Sequence, residues 1–164
     1  MSTDRMKESS EPEFRDRIDA KILRLLHQNG RLTNAELAEM VAVSPATCHR
    51  RTQALMKQGY LTGFRALVAP EKVDRGTLVM VGVVLDRSTP ESFAAFETAI
   101  AELSFVLDCH LVAGDFDYFL KIRVADMAAF NSIHASRIIA LPGVRQTRTF
   151  FVMKEVVDNR PLDF

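Results

Sequence analysis

Two helix-start signals eleven residues apart constrain what the first third of this chain can become. Thr33-Asn34-Ala35-Glu36 is a capping box: the Thr33 hydroxyl can accept from the third backbone N–H, and Glu36 can reach back. Ser44-Pro45 is the second start, with Ser as the N-cap and Pro at the first helical position, where its missing N–H costs nothing. The first of these helices is therefore short. It buries Leu37, ends near Met40 or Val41, and turns at Ala42-Val43. The second ends at Gln58-Gly59. Upstream, Phe14, Ile18, Ile22, Leu25 and Leu26 share one face of a helix that starts near Phe14 or Arg15, and Asn29-Gly30 offers it a left-handed stop. Three short helices with a tight turn between the last two make a helix-turn-helix.

Charge gives this arrangement a direction. The chain has 21 basic and 21 acidic side chains, yet no acid stands between Glu39 and Glu71. Residues 1–65 hold 11 bases and 8 acids, and residues 66–164 hold 10 and 13. A basic front and an acidic back fit two modules with different partners. On the third helix Cys48, Thr52 and Leu55 group toward the core, while Ala46, Arg50, Gln53 and Lys57 group outward and His49 and Arg51 flank them. The outward face is slim at its start, as entry into a major groove requires. Arg50 and Gln53 carry the bidentate groups that base edges accept. Lys57 and Arg51 suit phosphates, although Arg51 can instead pair with an acid of the first helix. Ser44 caps the helix at an end that also attracts anions. The candidate contacts to double-stranded DNA are Ser44, Ala46, Thr47, His49, Arg50, Arg51, Gln53 and Lys57.

The back half changes period. Tyr60–Ala69 is β-rich and reads as a wing or linking strand, closed by Pro70-Glu71-Lys72. Thr77–Leu85 is almost continuously apolar, as a strand covered on both faces would be. Thr89-Pro90 starts a helix carrying Phe93, Phe96, Ile100 and Leu103. Phe105–Ala113 is a second strand. Gly114-Asp115 turns the chain into Phe116–Val124, where Phe116, Tyr118, Leu120, Ile122 and Val124 alternate onto one face. Asp126 caps a helix with Met127, Phe130, Ile133 and Arg137 in one stripe. Leu141-Pro142-Gly143 stops it, and Val144–Met153 is the last strand. Strand, helix, strand, strand, helix, strand is the ferredoxin-like order. The chain is thus α+β: a flexible N-terminal arm (1–13), a three-helix, winged helix-turn-helix domain (14–62), a linker strand (63–76), a ferredoxin-like βαββαβ module (77–155) and a C-terminal tail (156–164). Such a sheet has helices on one face, so its doubly apolar first strand calls for a second copy on the other. A two-fold dimer would present two recognition helices to the half-sites of a pseudo-palindromic operator.

Other function classes find little support. Two cysteines, Cys48 and Cys109, make no disulfide framework and no metal motif. Each is followed by a histidine, but neighbours on a strand point to opposite faces and neighbours on a helix diverge by about 100°. No metal and no cofactor is expected. Asp108 and His110 share a strand face without a nucleophile motif or phosphate loop, so an enzyme is the weakest reading. A nucleoid-associated protein coating DNA with little sequence preference is the stronger alternative. The polar N-terminus lacks a signal-peptide core and no run approaches the roughly 18 apolar residues of a membrane span, so a cytoplasmic setting with no membrane partner is expected.

Several motifs in order carry a family resemblance. Ile18-Asp19-Ala20-Lys21-Ile22-Leu23, Leu37-Ala38 and Val43-Ser44-Pro45 with Cys48, Arg50 and Arg51 resemble the front domain of the Lrp/AsnC (leucine-responsive, feast/famine) transcription regulators. Cys109–Tyr118 (CHLVAGDFDY), Leu141-Pro142-Gly143-Val144 and Thr147-Arg148-Thr149 resemble that family's effector-binding module. The resemblance covers roughly residues 15–155. It implies homodimers that assemble to tetramers, octamers or larger, and an amino acid or related metabolite bound where modules of neighbouring dimers meet. Gly114, Asp115 and Asp117 are the leading candidates to meet that effector's ammonium and carboxylate. Thr149 and Phe151, on one face of the last strand, and Met127, opening the second helix, would complete the wall.

Overall fold

A computed structural model describes residues 16–164; the expected arm and the expected helix start at Phe14 or Arg15 lie outside them. The chain forms two compact units. One takes the chain up to Ala66 together with Val157–Phe164, and the other is Leu67–Val156. The tail, expected as a separate segment, thus falls in the first unit. Among the described residues no helix is long and apolar enough to cross a membrane.

The first unit holds three helices: α1 (Arg17–Gln28), α2 (Asn34–Met40) and α3 (Pro45–Lys57). Asp16 is the N-cap of α1, its carboxylate accepting the Ile18 N–H at 2.8 Å. Thr33 and Glu36 form the complete capping box of α2, and Ser44 caps α3 with Pro45 in its first turn. Between them Ala42 takes a left-handed φ of 57°. The three helices close over Ile22, Leu23, Leu26, Leu37, Ala38, Val41, Cys48 and Leu55. The end of α1 departs from expectation. Asn29 is extended rather than left-handed, and a Cβ at Gly30 would lie 3.3 Å from the ring of the exposed Phe64, which would have to shift slightly.

Residues 62–69 form neither helix nor ladder. Along them the expected wing or linking strand has no ladder partner among the described residues, and a strand exists only where a neighbour takes its N–H and C=O groups. Phe64, Leu67 and Val68 are exposed along it. A short 3-10 turn at Pro70–Val73 comes next.

The second unit is β1 (Thr77–Leu85), α4 (Pro90–Ala101), β2 (Val106–Leu111), β3 (Tyr118–Val124), α5 (Met127–Ile133) and β4 (Val144–Phe151). The sheet order is β2-β3-β1-β4, with every neighbouring pair antiparallel, which is the ferredoxin-like topology. Val79, Val81, Val83, Tyr118, Leu120 and Ile122 pack with Phe96, Ile100, Phe130 and Ile138 as the core under the helices. The Tyr118 hydroxyl donates to Glu97 Oε1 at 2.8 Å and pins β3 to α4.

Two local expectations fail in this unit. Phe116 is not part of β3. Its ring lies on the sheet's open face above Gly82, where a Cβ would come within 2.6 Å of it, and it stacks edge-on with Phe119 at 5.0 Å and Phe150 at 6.3 Å. The chain itself therefore covers part of the second face of β1. Arg137 does not continue the apolar stripe of α5 either. After Ile133 the helix loosens into a π turn, His134–Ile138. The extra residue in that turn rotates the side chains at its C-terminal end, so Arg137 is exposed and Ile138 is buried.

Candidate nucleic-acid interface and small-molecule site

The third helix carries the first site. Ser44, Ala46, His49, Arg50, Gln53 and Lys57 are exposed, and Thr47 is half-buried. The opposite side of the helix is anchored by Cys48 and Leu55, both nearly fully buried. Ser44 Oγ accepts the Thr47 N–H at 3.2 Å and donates to Thr47 Oγ1 at 2.9 Å, which fixes the first turn. Asn34 Nδ2 donates to the Pro45 carbonyl at 2.9 Å and ties the start of α2 to the start of α3. The outward strip is thus a rigid row of small, amide and basic side chains with no acid on α3 to oppose a phosphate.

Arg51 takes the other course open to it. Its Nη1 donates to Asp16 at 2.5 Å and to Asp19 at 2.9 Å, both at the start of α1. The Arg51 bond holds the Asp16 carboxyl below the usual carboxylate range, and the two acids raise the guanidinium in return. Arg51 clamps the recognition helix to its scaffold. Asp16 is a partner of the helix that the sequence did not single out, although an acid three residues before Asp19 was the available signal.

The second set of candidates divides. Gly114, Asp115 and Asp117 lie at the turn before β3, and Met127 lies just after that strand ends. Seven residues of β3 separate them, about 20 Å of extended chain. Thr149 pairs with Val81 in mid-sheet and Phe151 with Val79 toward the Met127 end. One chain therefore does not bring the six together. Thr149 and Phe151 belong with α5: Phe130 meets the Phe151 ring edge-on at 5.4 Å, and His134 Nε2 lies 2.9 Å from Thr147 Oγ1. His134 and Thr147 stand beside these candidates and were not among the residues singled out from the sequence. Thr147 was legible as the next same-face position before Thr149.

Asp117 has a structural task. Its Oδ2 accepts the Leu85 N–H at 2.7 Å, while its own N–H donates to the Val83 carbonyl at 2.9 Å and its carbonyl accepts from Val112 at 2.9 Å. It closes the hairpin onto the end of β1. Gly114, at φ 151°, and Asp115 are the exposed residues of that turn.

A cavity of about 360 Å³ lies elsewhere, between α4 and β2, lined by Glu97, Ile100, Leu103, Asp108, Cys109 and Tyr118. None of the effector candidates lines it, and it offers two carboxylates but no basic side chain to a ligand. Burial pushes the Cys109 thiol up to about 11, so it stays protonated at neutral pH and is a poor nucleophile or metal ligand. Among the described residues no group of three or more His, Cys, Asp or Glu side chains converges.

Comparison with known proteins agrees with both halves of this geometry. Residues 15–62 match the winged helix-turn-helix DNA-binding model, and residues 78–162 match the Lrp/AsnC ligand binding domain. The chain is 44% identical over 147 residues to the leucine-responsive regulatory protein of Escherichia coli K12, covering 90% of each. It is 47% identical over 141 residues to the protein of that name from Haemophilus influenzae, covering 86% of this chain and 85% of the relative. The crystal structure of a transcriptional regulator from Neisseria meningitidis in complex with L-Met superposes with a TM-score of 0.84 at 34% identity, over 90% of this chain and 96% of that one. Helix-turn-helix front and ligand-domain back, matched in order along one chain, place it in the Lrp/AsnC family of DNA-binding transcription regulators.

Proposed function

We propose that this regulator reads a pseudo-palindromic operator as a dimer, and that an amino acid bound between copies of its sheet module changes that reading. The observation that carries the proposal is the split of the small-molecule candidates. Gly114 and Asp115 stand at one end of the sheet and Met127 with Phe151 at the other, so a single pocket containing both needs two chains. A ligand there bridges copies and favours one assembly over another, which is what a ligand must do to shift an equilibrium. Asp117 serves the pocket by holding the turn that presents Gly114 and Asp115.

On the DNA side Arg50 and Gln53 read base edges, with Ala46, Thr47 and His49 beside them, while Ser44 and Lys57 meet phosphates. Arg51 acts through α1. The open sheet face supports dimerisation: Phe150 is exposed there, and Arg148 lies over the Phe116 ring at 5.8 Å from its centroid. A second copy would cover this aromatic patch, and further association of dimers to tetramers or octamers would complete the split pocket. The protein acts in the cytoplasm and by binding, without catalysis.

Two measurements test the reading. Footprinting on the chain's own upstream region should give discrete protection at a period of about one helical turn; uniform coverage would replace the operator reader with a DNA coater. A thermal-shift screen with the amino acids, starting with L-Leu and L-Met, should raise the melting temperature of the sheet module, since a ligand of the native state stabilises it by mass action. No stabilisation by any amino acid would remove the effector.

A further inference from the structure

We propose that residues 152–164 form a strap, anchored at both ends, that carries a change on β4 to the recognition helix through α1. The proposal rests on the reading that a small molecule at the sheet module alters DNA binding. The chain passes between its two units twice, at Ala66–Leu67 and again at Val156–Val157. The first crossing lies within residues 62–69, which form no regular structure. The second is held on either side.

On the sheet side the Val152 N–H donates to the Leu78 carbonyl at 3.0 Å. Arg123, 8% exposed, donates from Nη2 to Glu155 Oε1 at 2.6 Å. A buried guanidinium needs an anion, so Glu155 is held by a strong charge-assisted bond. On the other side the Leu162 N–H donates to His27 Nε2 at 2.6 Å. Arg24 Nε donates to the Phe164 carbonyl oxygen, and its guanidinium lies over the Phe164 ring at 5.8 Å from the centroid. The Phe164 ring also approaches that of His27 at 6.3 Å and packs against the core of the three helices. Arg24 and His27 are three residues apart and so share one face of α1. A tail held only by chance would not place an apolar ring, a backbone N–H and a carbonyl on matching groups of one helical turn.

What the strap grips matters more than the grip. The other end of α1 carries Asp16 and Asp19, which hold Arg51 of the recognition helix. The strap itself leaves β4 directly after Phe151, the strand that carries Thr147 and Thr149. One helix is therefore bonded to the strap at its C-terminal turn and to α3 at its start. Displacement of β4 by a ligand has a bonded route to the DNA-reading face.

The test uses the whole chain in three forms: a deletion of residues 157–164, the double variant H27A/F164A, and H27Q, whose side-chain amide oxygen can still accept from Leu162. Two quantities are read. Without effector, the amides of Leu23–Gln28 should exchange about tenfold faster in the deletion and the double variant, and within about twofold of wild type in H27Q. The ratio of operator affinity with and without the amino acid that shifts wild type most should fall to near one in the first two, with binding of that amino acid retained. Unchanged exchange would show that the tail is not seated on α1. Faster exchange with a wild-type ratio would overturn the coupling and leave only a structural contact. A wild type that responds to no amino acid would overturn the effector reading, and the coupling with it, before any variant is made. If the deletion fails to fold, the double variant decides.

Discussion

The helix-turn-helix unit lines its outward candidates along one exposed strip of α3, whereas the sheet module scatters its candidates over both ends of a sheet. The difference comes from the size of the partner each binds. A DNA groove accepts a convex rod, so one helix can be a whole reading surface. A small molecule must be enclosed, and enclosure takes walls from several elements. In the proposed reading a single α3 suffices for a half-site, while the candidates of a single sheet module stay apart at its two ends. On that reading each chain supplies one half-site reader, and effector recognition is a property of the assembly.

The comparison breaks most sharply if the units do not stand on separate cores. Phe96 is fully buried in the sheet module. Phe96→Ala should cost about 3–5 kcal/mol and lower the calorimetric transition of that module while leaving the helical unit's own transition in place. A matched fall of both transitions would mean one cooperative core. Next in size is Gly82→Ala, which drives a methyl into the Phe116 ring and should cost about 1–3 kcal/mol by overpacking. Because Phe116 adjoins the Gly114–Asp117 turn and lies in the patch proposed to pair two copies, effector affinity and dimerisation should drop with stability while the helical unit's own thermal transition stays; loss of that transition as well would deny the division. Arg50→Ala should weaken operator binding by about 1–3 kcal/mol and leave the thermal shift by an amino acid intact. Lys57→Ala should weaken all DNA sequences alike and reduce the salt slope by about 1.

The smallest effect is acid-dependent. Asp16 has its folded value lowered by Arg51 and Glu36 by its bond from the Thr33 N–H. Groups lowered on folding stabilise above their unfolded values and lose that contribution as pH falls through the folded ones. The helical unit should therefore weaken as pH drops below about 4, and Asp16→Asn should flatten that slope. A slope unchanged by Asp16→Asn would remove the clamp from the account.

Much of this was legible in sequence because it is local. Caps at Thr33, Ser44 and Asp126 satisfy helix N–H groups a few residues away, and the alternation Tyr118–Val124 needs only a sheet with one buried face. The βαββαβ order implied the strand neighbours. Legibility failed where a distant partner decides. Gly30 looked like a left-handed helix stop, yet it does not take a positive φ and the distant Phe64 ring lies beside it. Phe116 kept the period of β3 in sequence yet crossed the sheet, because Gly82 leaves a gap that an aromatic ring from the turn fills. The bond that Asp117 makes was hidden, since nothing near it in sequence shows that the Leu85 N–H needs an acceptor. The tail gave no periodic signal at all, and its docking depends on Arg24 and His27 more than a hundred residues away.

The π turn at His134–Ile138 has a consequence for how this module can change length over evolution. An insertion in an α-helix ordinarily throws every later side chain about 100° off its face. A π turn is the form an accommodated one-residue insertion takes. Removing Ala135 would tighten the stretch to plain α-helix and return the spacing from Phe130 to the present Ile138 from eight residues to the regular seven. Relatives one residue shorter here should keep an apolar side chain at that position, and their last helix should bury the same face.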